Sequence, residues 1–145
     1  MITLEDQNKL FTLIASRLSA DLVCYAFGGT AMMYYGYKDD TKDVDLVFER
    51  ETSRKEFIKA IAALGFTETS AIKIYIPEKL RDKSKPVMYT QGEARFDLFS
   101  EKIFRTLLSK KMKEDLFAAH EYKAKHTLTV NVVRKEQIVL LKSVT

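Results

Sequence analysis

Between residues 43 and 48 the sequence reads Asp-Val-Asp-Leu-Val-Phe, the spacing of a strand with one apolar face. Strand side chains alternate with a period of two, so Val44, Leu46 and Phe48 share one face and Asp43, Asp45 and Val47 the other. A chain that folds this way must lay the first face on a core. Its two carboxylates then stand side by side on the opposite face. Two like charges so close cost free energy unless a cation neutralises them. Hard oxygen ligands of this kind suit Mg²⁺ or Mn²⁺, with phosphate oxygens completing the shell.

The residues before and after this strand sharpen the expectation. Leu22 to Phe27 is a short, nearly all-apolar run that suits a buried strand. Gly28-Gly29 breaks it, and Thr30 to Tyr35 predicts a short helix stopped by Gly36. Glycines at such a turn let a ligand approach the main chain closely. The helix start then offers unpaired N–H groups and the positive end of its dipole to a phosphate, and the Thr30 hydroxyl adds a donor. No Gly-Lys-Ser/Thr follows at the spacing of a Walker-type loop. Downstream, Arg95-Phe96-Asp97-Leu98-Phe99 alternates as well, with Arg95, Asp97 and Phe99 on one face. If its strand neighbours that of Asp43, the Asp97 carboxylate joins the other two. Three carboxylates on neighbouring strands can hold two metals.

The remaining pattern is mixed α and β. Leu10, Leu13, Ile14 and Leu18 have the spacing of one helical face in a helix from Leu4 to Leu18, with Thr3 and Asp6 as a capping pair. A further helix, capped by Thr52 or Ser53, carries Phe57, Ile58, Ile61 and Leu64 and is closed by Gly65. Strands are predicted over Phe66–Ser70, Ile72–Ile76, Val87–Thr90 and Leu128–Val133. Lys38–Lys42 and Pro77–Pro86 are predicted as loops, and Phe104–Lys111 and Arg134–Val144 as helices. The fold class expected is α+β, a mixed central sheet with helices packed on it, in a single domain spanning 1–145. The last helix runs straight into Thr145, which suggests a chain truncated at its C-terminal end.

Composition narrows the setting. Lys and Arg number 24 against 20 Asp and Glu, a formal charge of +4, compatible with a polyanionic partner without requiring one. The single Cys24 sits in an apolar run and cannot form an internal disulfide. His120 and His126 are too far apart for a local metal pair and are expected at the surface. Met32 to Tyr35 is expected to pack in the core rather than stack on bases. Neither a signal peptide nor a membrane-length apolar run is visible, so the default expectation is a cytoplasmic protein with no membrane partner.

Gly28-Gly29-Thr30 followed by Asp43-Val44-Asp45-Leu46 resembles the signature of the DNA polymerase β-like nucleotidyltransferase superfamily. With Ala31, Gly36 and Thr41 added, the segment is similar to small prokaryotic nucleotidyltransferases of the abortive-infection toxin type, proteins of toxin–antitoxin systems. The resemblance implies a nucleotidyltransferase fold and transfer of a nucleoside monophosphate from an NTP such as ATP to a hydroxyl, with pyrophosphate released. It assigns the triphosphate to Gly28, Gly29 and Thr30, the Mg²⁺ or Mn²⁺ ions to Asp43 and Asp45, and the role of general base or third metal ligand to Asp97. Lys142, in a late helix after the last strand, matches the place of a family lysine that contacts nucleotide phosphate. The acceptor stays open between RNA such as a tRNA end, a partner protein and a small molecule. The alternative expectation is a catalytically silent nucleotide-binding or regulatory module of the same fold.

Overall fold

The computed structural model describes residues 1–69, 86–103, 106–107 and 110–134. The expected strand at Ile72–Ile76, nearly all of the loop to Pro86, and the expected helix from Arg134 with Lys142 lie outside them. The chain opens with a two-residue strand, β1 (Ile2–Thr3), and helix α1 (Leu4–Ala15). Thr3 and Asp6 form a reciprocal capping box, so Asp at the third position serves where Glu or Gln is usual. Then come β2 (Leu22–Phe27), α2 (Gly28–Tyr35), β3 (Asp40–Thr41), β4 (Asp43–Phe48) and α3 (Glu51–Ala63). After β5 (Thr67–Glu68) follow β6 (Val87–Gln91), β7 (Ala94–Ser100), β8 (Lys102–Ile103), β9 (Thr106–Leu107), α4 (Lys110–Glu114), β10 (Leu116–Lys123) and β11 (Thr127–Val133).

Seven strands form one mixed sheet in the order β10-β11-β2-β4-β7-β6-β5. The pairs β11–β2 and β4–β7 are parallel and the others antiparallel. Alternation along the central strands separates two faces. Cys24, Ala26, Val44, Leu46, Phe48, Phe96 and Leu98 pack with Phe11 and Ile14 of α1 and Phe57 and Ile61 of α3 in the main core. Tyr25, Phe27, Val47 and Phe99 belong to a second cluster, with Ala31 of α2 and Val133 of β11. The α+β expectation therefore holds: helices cover a mixed sheet.

Three local expectations change. Helix α3 begins at Glu51, with Arg50 rather than Thr52 or Ser53 at its cap, and no side chain caps it. Glu51 instead places a carboxylate in the first turn, where the helix dipole favours it, and pairs with Arg54. Within the expected loop at Lys38–Lys42, Asp40 and Thr41 pair with Thr3 and Ile2 as a small antiparallel ribbon. The helix expected over Phe104–Lys111 is not formed as such. Thr106–Leu107 pairs with Lys102–Ile103, and the helix starts at Lys110.

Strand β10 has no counterpart among the expected strands. Its sequence, Leu-Phe-Ala-Ala-His-Glu-Tyr-Lys, is rich in residue types that strands disfavour. Its burial nevertheless alternates, with Leu116, Ala118, His120 and Tyr122 facing inward, and pairing with β11 on one edge holds it in the sheet.

An aromatic chain locks α3 to the sheet. The Phe57 ring lies 5.3 Å from that of Phe48 and 5.3 Å from that of Phe96, which in turn meets Phe66. Phe57 is fully buried. Phe57→Ala should cost about 3–5 kcal/mol of unfolding free energy, measured by urea denaturation. A loss below about 1 kcal/mol would show that α3 is not packed on β4 and β7 in this way.

Candidate functional site

The parallel register of β4 and β7 decides which charged side chains meet. Asp45 stands opposite Asp97, and Asp43 opposite Arg95. On the other side of β4, Asp45 is the partner of Phe27, the last residue of β2. The Gly28-Gly29 turn therefore emerges beside the carboxylates, as expected from the sequence. Asp43, Asp45 and Asp97 come together on neighbouring strands.

Both glycines answer to side chains of this site. Gly28 has φ of +60°, and a Cβ there would lie 2.5 Å from Asp45 Oδ2. A larger residue here is strained by the backbone angle and requires the Asp45 carboxylate to shift. A Cβ on Gly29 would collide with Thr41 Oγ1 and sit 3.7 Å from Lys38 Nζ. Thr41 in turn donates its hydroxyl to the Asp43 carbonyl at 3.0 Å, which fixes the entry into β4. Helix α2 starts at Gly28, two residues earlier than the sequence suggests, and no side chain caps it. The Lys38 ammonium over Gly29 puts a cation at that end of the helix. This basic residue was not singled out in the sequence, because its loop offered no periodicity to place it.

Thr30 occupies a different setting from the one expected. It is 0% exposed, and its Oγ1 has no hydrogen-bond partner. Gly28 and Gly29 just before it are partly exposed, so they and not the Thr30 hydroxyl are open to a ligand.

Arg95 is the feature that the sequence placed without a role. Its Nη2 donates to Asp43 Oδ2 at 2.8 Å and to Asp97 Oδ2 at 2.9 Å, and its Nε donates to Asp97 Oδ1 at 3.0 Å. One guanidinium thus bridges two carboxylates across the strand pair. Against three carboxylates it leaves a negative excess. Burial, and then the charge of Asp97, push the Asp43 carboxyl above its ordinary range, opposed by Arg95, Lys42 and Lys38. Asp45 is affected more. Burial, Asp97 and Asp43 push it up to about 7, and Arg95 only partly offsets them.

Among the described residues, no group of three or more His, Cys, Asp and Glu side chains is spaced as a ready metal cage. Arg95 donates to two of the three carboxylates, and Asp45 lies against Gly28. The donor chemistry itself fits a divalent cation: hard carboxylate oxygens, one of them destabilised by negative neighbours. Asp43, Asp45 and Asp97 are the residues that would hold it.

The other side chains weighed in the sequence take structural places. Burial pushes the Cys24 thiol well up, so it does not act as a thiolate. His120 is not a free surface residue: its ring stacks on Tyr34 at 4.4 Å, and burial lowers its pKa. His126 lies 3.7 Å from Asp21. A separate recess of about 320 Å³, lined by Glu51, Arg54, Ser100 and Glu101, sits toward the far ends of β4 and β7 and includes none of the three aspartates. Among the described residues no helix is long and apolar enough to cross a membrane. Comparison with protein-family models, with curated proteins and with solved structures finds no match to this chain.

The raised Asp45 pKa has a consequence for stability. An unfolded aspartate titrates near pH 4. Between about pH 4 and 7 the folded protein therefore binds the Asp45 proton more tightly than the unfolded chain does, and stability falls as pH rises through that window. Asp45→Asn removes the titration. At pH 8, with a chelator present, the variant should be more stable than the parent by about 1–3 kcal/mol, converging near pH 4. Thermal unfolding at the two pH values checks this, and an equal gap at both would overturn it.

Proposed function

We propose that this chain is a metal-dependent nucleotidyltransferase that moves a nucleoside monophosphate from an NTP to a hydroxyl acceptor. The observation that carries the reading is the pairing of Asp45 with Asp97, with Asp43 two residues away, at the mouth of the Gly28-Gly29 turn. A turn that brings backbone N–H groups and the Lys38 ammonium beside a carboxylate cluster suits a metal-bound polyphosphate better than any neutral ligand. The resemblance of Gly28-Gly29-Thr30 and Asp43-Val44-Asp45-Leu46 to nucleotidyltransferases supports the same reading.

Each residue then has a part. Gly28 and Gly29 admit phosphate oxygens close to the main chain, where helix α2 begins. Lys38 offers those oxygens a positive charge. Asp43, Asp45 and Asp97 would hold Mg²⁺ or Mn²⁺, which supplies charge neutralisation for the polyphosphate. The acceptor oxygen attacks the α-phosphorus, the bond to the β-phosphate oxygen breaks, and pyrophosphate leaves. Asp97, a mostly buried residue of β7, would either complete the metal shell or accept the acceptor proton.

One observation favours a second reading. Arg95 satisfies Asp43 and Asp97 from within the chain, as a silent nucleotide-binding module would permit. The two readings separate on turnover. Incubation with each labelled NTP, Mg²⁺ and cell extract should release pyrophosphate and label one class of acceptor: RNA, protein or small molecule. Asp43→Ala and Asp45→Ala should each lower that release at least about 100-fold while circular dichroism stays unchanged. Undiminished turnover in both variants sinks the mechanism, and calorimetric NTP binding without pyrophosphate release favours the silent module.

A further inference from the structure

Arg95 presents a conflict that the proposed function alone does not resolve. Its guanidinium makes three hydrogen bonds, of 2.8–3.0 Å, to the carboxylates that would hold a divalent cation. A cation and a guanidinium compete for the same oxygens. Arg95 can yield: its side chain is 41% exposed, on a strand whose neighbouring residues Phe96 and Leu98 are fully buried. The strand is thus anchored from the opposite face, and the arginine side chain is free to swing without disturbing it. Its pair with Asp43 is partly solvated and the Asp97 carboxylate is mostly buried, so Arg95 leaves Asp97 only as another cation takes its place.

Resting on the nucleotidyltransferase reading, we propose that Arg95 is an exchangeable counter-ion. It neutralises Asp43 and Asp97 when no divalent cation is bound, and moves onto the phosphates of the donor substrate when one is. A guanidinium always carries its charge and matches phosphate as well as carboxylate geometry, so it serves both partners with the same donors. No covalent bond changes in the exchange. Its effect is an apo site that does not repel itself apart, and a donor site that gains a cation when metal and polyphosphate arrive together.

Manganese binding, followed by electron paramagnetic resonance without nucleotide, tests the first half. Arg95→Gln should bind Mn²⁺ roughly tenfold more tightly than the parent, because a competing positive charge is gone. Arg95→Lys, which keeps the charge, should stay near the parent. Inorganic triphosphate with saturating Mn²⁺ tests the second half, and Arg95→Gln should bind it several-fold more weakly. The parent protein provides a reading that no folding defect can disturb. Its Arg95 Nε–H, bonded to Asp97, should shift in its NMR signal and exchange faster as Mg²⁺ is titrated. Mn²⁺ binding that is no tighter in Arg95→Gln, or an Nε–H signal unmoved at saturating Mg²⁺, overturns the displacement. Undiminished triphosphate binding overturns the transfer to phosphate. Both failures leave the nucleotidyltransferase reading standing, whereas absence of Mn²⁺ binding by every form of the protein overturns that reading and this inference together.

Discussion

Strands β4 and β7 run parallel, with Asp45 opposite Asp97, and the chemistry of the molecule depends on that register. A slip of one residue would turn Asp97 into the apolar core and bring Phe96 or Leu98 out beside Asp45. Parallel strands are not held by a tight hairpin, so something else must set the register. Packing does so: Val44, Leu46, Phe48, Phe96 and Leu98 close against Phe57 and Ile61 of α3. Arg54 of α3, itself buried, adds a directional tie by donating to the Leu98 carbonyl at 3.0 Å. Core and site are thus two faces of the same strands, and the first determines the second.

The charged face is balanced rather than neutral. Three carboxylates meet one guanidinium, with Lys38 and Lys42 near enough to act on Asp43 through space. The Arg95–Asp43 pair is partly solvated and contributes little to stability, whereas the pair with Asp97 is mostly buried. Their importance here lies in limiting repulsion between Asp43 and Asp97. Asp45 is the residue left with the least relief, because burial and both neighbouring aspartates act on it in the same direction. Such a site gains from any further positive charge, and that tendency is the physical core of the proposed metal and polyphosphate chemistry.

Helix α2 is tied to this face by glycine. At Gly28 a left-handed backbone angle and contact with the Asp45 carboxylate both disfavour a side chain. At Gly29 the excluded volume belongs to Thr41, the residue that also orients the start of β4. The turn and the acidic strand are therefore fitted to each other. Thr30 follows as a buried residue of the helix, and its hydroxyl faces away from solvent.

Short-range pattern made much of this legible. Alternation identified β4 and β7 and the faces of their side chains, a continuous apolar run identified β2, β11 was readable as a strand, and helical spacing identified α1 and α3. The Gly28-Gly29 turn and the three aspartates were visible because strand geometry allows their side chains few orientations. Strand β10 was not legible, since Ala118, Ala119, Glu121 and Lys123 argue against a strand until β11 is present to pair with it. Nor could sequence assign Arg95, because its role depends on β7 lying beside β4, a contact between residues 52 apart. The burial of Thr30 and the approach of Lys38 to Gly29 likewise follow from how α2 settles on the sheet. Local periodicity alone determined which residues could share a face. Only tertiary packing decided which faces meet, because the strand order and register that join them arise from burying a core rather than from any neighbouring pair of residues.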